Sequence, residues 1–386
     1  MKKLLEKLQG DRTIWMVTFF LALISLLAVY SAVSTLAHKA HGNNLRFLLK
    51  HGGMLLLGLL VMYVVHRLHF KQIARFSKIM FFTSIGLLAY ALLFGHNLND
   101  ANRWIQIPYI GLTFQPSDFA KIALVIHVAI LLAKNREILH DFKNGVLPIL
   151  YSIIAVCALI FPANFSTSAL LALICVLMMF LAGVPIAHLL KIGAGAVVAL
   201  LLVIAFAEIT GMPKRYGTWK NRILSTVDEE SEGNYQTDLA KFAIYEGGVI
   251  PKGPGTGSSR NFLPHPYSDM IYPFIIEEYG SLFGGVTLVF LYLILLFRTI
   301  SLSIRNPKMS AQLTALGLGF MICFQAFINM AVAVSLFPTT GQPLPLVSMG
   351  GTSTLFTCFA IGLILSICRT REETEEAEIT AKIAVA

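Results

Sequence analysis

The chain has 386 residues, 56% of them hydrophobic and 13% charged, with a net charge of +9. An ordinary soluble domain carries about 25% charged residues, so this balance excludes a soluble globular protein and points to a polytopic membrane protein. The basic surplus reads as membrane topology and affinity for anionic lipid heads; no aromatic–basic pattern makes nucleic acid a partner.

Apolar runs of roughly 20 residues suit a bilayer core of about 30 Å. In chain order they predict spans near 13–34, 46–65, 78–95, 117–133, 146–163, 167–184, 189–208, 270–297, 310–335 and 351–368. The first run is too long for a signal-peptide core and lacks a cleavage site, so it is read as a retained span. The run 117–133 is the least span-like, because it opens with Ser117, Asp118 and Lys121. The run 270–297 exceeds one bilayer thickness and predicts tilt. The expected fold class is therefore an all-α integral membrane protein of about ten transmembrane helices with one large extracytoplasmic loop. One polytopic domain spans 1–386, and the loop occupies about 209–269. The five cysteines lie in or at the ends of apolar runs without metal-like spacing, and read as small buried hydrophobes.

An even number of spans puts both termini on one side, and lysines and arginines choose it. Eighteen of the 30 basic residues fall on the side of the termini. Seven of the others sit in the long loop, which counts little for this rule. Both termini are therefore expected in the cytoplasm, and the long loop outside. Three segments on that outer side are rich in Gly, Pro, Gln, Ser and Trp: NDANRWIQIPYIGLTFQPSDFAK, the loop up to Asp269, and FPTTGQPLPLVSMGGTS. Non-helical backbone at a membrane surface must be covered by protein or line a wet cavity. Three such segments on one face predict a shared outward cavity.

Asp269 closes the long polar stretch just before an apolar run. It reads as a helix N-cap or an interfacial charge, or as a partly desolvated general base facing a lipid-borne substrate. Pro273 favours a helix start near there, leaving Asp269 just outside. Glu277 and Glu278 lie inside the next span, where carboxylates face the bundle interior or water. Glu277, eight residues on and about 80° round an ideal helix, can approach the same cavity or belong to a buried structural pair. Asp118 and Lys121 are neighbours at i, i+3. They form a self-neutralising pair, or a polar cavity wall with Lys121 available to a phosphate oxygen. Arg103 suits bidentate phosphate contact. The glycines of GGVIPKGPGTGSSRNFLP let backbone N–H groups approach an anion, but match no nucleotide-binding motif, and a surface loop is the default reading. The histidines form no metal set and no hydrolase elbow is present.

Three blocks then carry a resemblance. NRWIQIPYIGLTFQPSDFAK resembles RRW…FQPSE…K. GGVIPKGPGTGSSRNFLPHPYSDMIYPFIIEEYGSLFGG resembles GxGxGxS…LPE…TDFIFA…EE.G. QAFINMAVAVSLFPTTGQPLPLVSMGGTSTL resembles N.GV…G..P.TG.PLPF.S.GG.S. These are the motifs of the SEDS family (shape, elongation, division and sporulation; FtsW, RodA and SpoVE), polytopic peptidoglycan glycosyltransferases, and the resemblance covers nearly the whole chain. GPGTGSS and the Tyr235–Gln236 pair favour the division branch, FtsW-like, over the elongation branch, RodA-like. The chain departs from the pattern at His265 for Glu, Ser268 for Thr, Asp118 for Glu, Arg260 for Lys and Met349 for Tyr.

The resemblance implies polymerisation of lipid II at the outer face of the bacterial cytoplasmic (inner) membrane. In that chemistry an acceptor sugar 4-hydroxyl attacks the anomeric carbon of a donor carried by undecaprenyl pyrophosphate. Asp269 would be the base. Arg103, Gln115, Ser117, Asp118, Lys121, Arg260 and Glu277 would bind substrate. Arg103, Lys121, Arg260 or a divalent cation (Mg or Mn) would neutralise the leaving group. The activated donor supplies the energy, so no nucleotide is expected. The implied partners are a class B penicillin-binding protein, the transpeptidase, and other proteins of a division or elongation complex. The alternatives from different classes are a flippase moving the same lipid, which intramembrane charge fits equally, and a scaffold that recruits division proteins.

Overall fold

The computed structural model describes residues 9–33, 44–98, 101–106, 113–210, 235–263 and 266–385. His265, one of the departures noted above, and most of the first half of the long loop lie outside the described residues, as does the side chain of Arg103.

Nine helices among the described residues are long and apolar enough to cross a membrane, and a tenth apolar helix, Phe165–Leu181, has 17 residues. Nine of the ten predicted spans each coincide with one helix, and the span 270–297 falls on a helical stretch that is interrupted part-way. In chain order the first elements are α1 (Arg12–Ala32), α2 (Asn44–Arg67), the short α3 (Phe70–Arg75) and α4 (Ser77–Phe94). A small sheet follows, with β1 (His96–Leu98) and β3 (Thr113–Phe114) each pairing antiparallel with β2 (Ala101–Gln106). Next come α5 (Pro116–Lys134), α6 (Leu147–Ile160), α7 (Phe165–Leu181) and α8 (Ile186–Thr210). The long loop contributes α9 (Tyr235–Gly247), and the chain ends with α10 (Ile271–Gly280), α11 (Thr287–Ile304), α12 (Met309–Ala333) and α13 (Thr352–Val385).

The centre of the bundle is α5, α12 and the first part of α13, whose apolar windows are 78%, 72% and 72% buried. The least span-like run in the sequence is thus the most buried of the membrane-length helices among the described residues. Its polar residues Asp118 and Lys121 point inward, where a lipid-facing helix would have none. By contrast the apolar window of α8 buries no residue in the described chain. Helices α2 and α13 approach closely at glycines: a Cβ on Gly362 would lie 2.7 Å from the Met62 carbonyl, and one on Gly58 would lie 2.8 Å from Cys358 Sγ. Small residues at helix crossings are the usual means of close packing in a bilayer. At the far end of α1, Asp11 caps the Ile14 amide at 2.9 Å and also pairs with Arg298 of α11.

The long apolar run 270–297 is not one straight helix. It breaks at Gly280 (φ 73°) and passes through a wide turn, Ser281–Val286, into α11. The cause is the crossing loop: a Cβ on Gly280 would stand 2.5 Å from the Val249 carbonyl, and the Ser281 amide donates to Gly248 O at 2.9 Å. A glycine is needed both for the left-handed φ and for the space.

Candidate active site

Helix α10 starts at Ile271, and its N-cap position belongs to Met270, which makes no side-chain cap. The N-cap position itself is therefore not that of Asp269. Asp269 lies one residue earlier, in the turn 266–270, and is half-buried. Because it is outside the helix, the helical phase relating it to Glu277 does not apply.

The turn is held by its backbone. Asn329 of α12 donates both amide hydrogens to main-chain carbonyls, to Asp269 O at 2.7 Å and to Gln342 O at 2.8 Å. The Ser348 hydroxyl donates to Ser268 O at 2.5 Å, and the Met349 amide donates to Tyr267 O at 2.8 Å. Gln342 in turn donates to the Thr167 hydroxyl of α7 at 2.6 Å. The segment 342–349 thus lies against the Asp269 turn, and a Cβ on Gly341 would be 3.9 Å from Asp269 Oδ2. Burial, and then the Asp269 charge, holds the Tyr267 hydroxyl above its ordinary pKa.

The first Gly/Pro-rich segment joins the same assembly. Lys121 Nζ lies 2.9 Å from Asp118 Oδ1 and donates to Gln325 Oε1 at 3.3 Å, and Gln325 Nε2 donates to Pro343 O at 2.9 Å. Thr352 donates to Thr113 O of β3 at 3.2 Å. Gln115, the N-cap residue of α5, donates to the Ser117 hydroxyl at 2.9 Å. The three Gly/Pro-rich segments singled out in the sequence therefore converge by hydrogen bonds on one end of the bundle. The Asp118–Lys121 pair is buried (6% and 8% exposed) and supports the 342–349 segment through Gln325.

Glu277 and Glu278 have a different setting. Glu277 accepts from the amides of Ser258 and Ser259 at 2.8 and 3.1 Å and from both hydroxyls of those serines. Glu278 accepts from Gly255 N at 2.9 Å and from the Ser31 hydroxyl of α1 at 2.5 Å. The glycine-rich loop does present N–H groups to an anion, but the anion is the chain's own pair of buried carboxylates. The half-buried Arg260 closes this loop and acts electrostatically on Glu278. The backbone of Arg103 lies in β2.

Gln325, Asn329, Gln342 and Ser348 were not singled out from sequence, although all lie in the third block. The signal was there: Gln325 and Asn329 are amides at i, i+4 in an apolar run, so they share one face of a span. An apolar groove of about 270 Å³ opens between α3, α4, α5 and α13, lined by Ile73, Met80, Phe119, Ile122, Phe356 and Phe359.

The model of the FtsW/RodA/SpoVE family, described as "Cell cycle protein", matches residues 11–373. This chain belongs to that family. Its similar relatives include the probable peptidoglycan glycosyltransferase FtsW of Geobacter sulfurreducens, 28% identical over 92% of this chain and 94% of the relative. Stage V sporulation protein E of Bacillus subtilis is 27% identical over 94% and 98%. Among solved structures, one described as "Structural coordination of polymerization and crosslinking by a peptidoglycan synthase complex" is 25% identical, with TM-score 0.74 over 94% of this chain and 98% of that one. The rod shape determining protein RodA of Thermus thermophilus, 24% identical, shares the fold with TM-score 0.68 over 94% and 97%.

The family's motif residues now have physical places. Two of the departures fall where the backbone does the holding: Met349 binds Tyr267 through its amide, and Ser268 receives Ser348 through its carbonyl. Changing those side chains leaves these bonds in place. No group of three His, Cys, Asp or Glu side chains that could hold a metal ion occurs among the described residues.

Proposed function

We propose that this FtsW/RodA/SpoVE protein is a peptidoglycan glycosyltransferase that polymerises lipid II, with Asp269 as the catalytic base. The observation that carries the reading is the convergence of the three polar segments on the Asp269 turn at one end of an apolar bundle. A sugar hydroxyl is a poor nucleophile, and a positioned base is worth about 10²–10⁴-fold. Asp269 takes the proton of the acceptor 4-hydroxyl as its oxygen bonds to the donor anomeric carbon. The bond from that carbon to the pyrophosphate oxygen breaks, and undecaprenyl pyrophosphate leaves with the electron pair. Arg103 and Arg260 are the proposed cations for the departing diphosphate. Gln115, Ser117, Asp118 and Lys121 shape the polar wall, and Glu277 orders the 255–259 loop that carries Arg260. The apolar groove beside α5 offers alkyl-chain surface for a lipid-linked substrate.

The basic-residue balance puts the site on the outer side, with both termini in the cytoplasm. The partner in this reading is a class B penicillin-binding protein, and the relatives favour septal wall synthesis over elongation. The test is glycan synthesis from lipid II by purified protein, with a transpeptidase partner supplied. Polymer is expected from the wild type and none from Asp269→Ala at unchanged thermal midpoint. Normal polymer from Asp269→Ala would overturn the base assignment. Lipid translocation without polymer under any condition would favour a flippase. Normal growth of cells carrying Asp269→Asn would favour a scaffold. Complementation of cells depleted of the division or the elongation enzyme assigns the branch.

A further inference from the structure

We propose that Ser25 and His51, two buried residues of α1 and α2, are positioning residues that clamp the segment holding the Asp269 turn. The inference rests on the reading of Asp269 as the base. Ser25 is fully buried and His51 is 2% exposed. The Ser25 hydroxyl donates to Val347 O at 2.7 Å, and its oxygen lies 2.7 Å from His51 Nε2. A serine has one hydrogen to give. With that hydrogen on Val347, the Ser25 oxygen must accept, so His51 Nε2 carries a proton and donates. The order is His51 to Ser25 to the Val347 carbonyl, which lies in another part of the chain.

What this clamp holds is a strained turn. Leu346 is buried at φ 65°, in the left-handed region. A leucine stays there only where its surroundings over-determine it. On one side the Tyr292 hydroxyl of α11 donates to Pro345 O; on the other, Ser25 holds Val347 O. The Leu344 amide donates to Ser348 Oγ at 2.8 Å, and that same hydroxyl passes its hydrogen to Ser268 O. The Met349 amide holds Tyr267 O. Two residues before Asp269 are therefore fixed by a turn whose own shape depends on Ser25, His51 and Tyr292. Releasing the clamp lets Leu346 relax to negative φ, and this displaces Ser348 and the Asp269 backbone with it.

The test compares His51→Asn with His51→Gln, since the longer amide reaches about as far as Nε2 and the shorter does not, and adds Ser25→Ala. Full-length protein in detergent is used for two readouts. Without substrate, hydrogen exchange of peptides covering 266–270 and 344–349 is expected to rise in His51→Asn and Ser25→Ala but not in His51→Gln, with α5 and α12 unchanged. With lipid II, His51→Asn and Ser25→Ala should lower kcat about 10-fold at unchanged KM, as small misplacement of a reacting group does. His51→Gln should recover most of it. Unchanged exchange in His51→Asn overturns the proposal, as does an equal loss in both amide variants with a lowered thermal midpoint. If exchange responds as stated while Asp269→Ala still polymerises, the clamp stands and the base assignment falls.

Discussion

Asp269 and Glu277, eight residues apart, are carboxylates placed in opposite ways. Glu277 is buried and receives two amides and two hydroxyls from the serine loop, all on its carboxylate oxygens. Asp269 is half-buried and gripped through its main-chain carbonyl by Asn329, while the two residues before it, Tyr267 and Ser268, are gripped through their carbonyls by Met349 and Ser348. An acid whose oxygens receive four internal hydrogen bonds is a structural anchor. Asp269, half-buried in a turn fixed through its backbone, is the acid we propose for the chemistry. Position in the sequence, just before or just inside a span, does not distinguish the two; the site of the restraint does.

The strongest way to break that contrast is to neutralise each in turn. Asp269→Asn should reduce polymerisation kcat by about 10²–10⁴-fold with little change in thermal midpoint, because only the proton acceptor is lost. Glu277→Gln should do the reverse. Hydrogen bonds to a charged group are worth about 1.5–3 kcal/mol each. Weakening the set should lower the thermal midpoint and raise exchange in residues 255–259, with a smaller fall in rate. Thermal unfolding and lipid II polymerisation measured on both variants decide it. A Glu277→Gln protein of wild-type stability with abolished rate would reverse the assignment of roles.

A smaller effect sharpens the backbone half of the contrast. Asn329→Leu keeps the approximate volume and removes both donated bonds, leaving the Asp269 and Gln342 carbonyls unmatched. An unsatisfied buried carbonyl costs about 1–3 kcal/mol. The variant should fold at a lowered midpoint with kcat reduced by about 10-fold, short of Asp269→Asn. Loss as complete as that of Asp269→Asn would mean that Asn329 meets the substrate itself.

Much of this was legible in the amino-acid order. Nine of the ten apolar runs became single helices, because bilayer thickness forces the length, and the tenth, 270–297, became a pair broken at Gly280. The three Gly/Pro-rich segments stood out because such backbone cannot be left in lipid, and they do converge. Asp269 stood out as the carboxylate at a loop–span border. What could not be read was which atoms restrain it. Ser25 and His51 are 26 residues apart on two helices, and the carbonyl they hold belongs to Val347. Asn329 has the helical spacing of Gln325, but only the fold aims it at Asp269 O. The glycine loop suggested an external anion; Glu277 and Glu278, invisible as its partners until α10 packs under it, are the ones it holds. The Asp118–Lys121 pair was readable at i, i+3, but the central place of α5 was not, since those two charges make the run read as a poor span.

The smallest predicted effect concerns Tyr267, which shares the turn with Asp269. Burial and the neighbouring carboxylate charge both disfavour its phenolate, so its pKa in the folded protein lies above the ordinary value of about 10. Raised in the native state, the group binds its proton more tightly folded than unfolded. Its contribution to stability is therefore fully present below about pH 10 and is lost as pH rises through the folded value. Tyr267→Phe removes the titration. Thermal midpoints of the two proteins should run parallel up to about pH 9 and diverge above about pH 10, the wild type falling more steeply. Combining Tyr267→Phe with Asp269→Asn separates the two causes. If the carboxylate contributes, Asp269→Asn alone already softens the alkaline fall, and the double variant gains little beyond Tyr267→Phe. If Asp269→Asn leaves the alkaline slope as in wild type, burial alone sets the tyrosine, and the Asp269 charge is turned away from the turn that carries it.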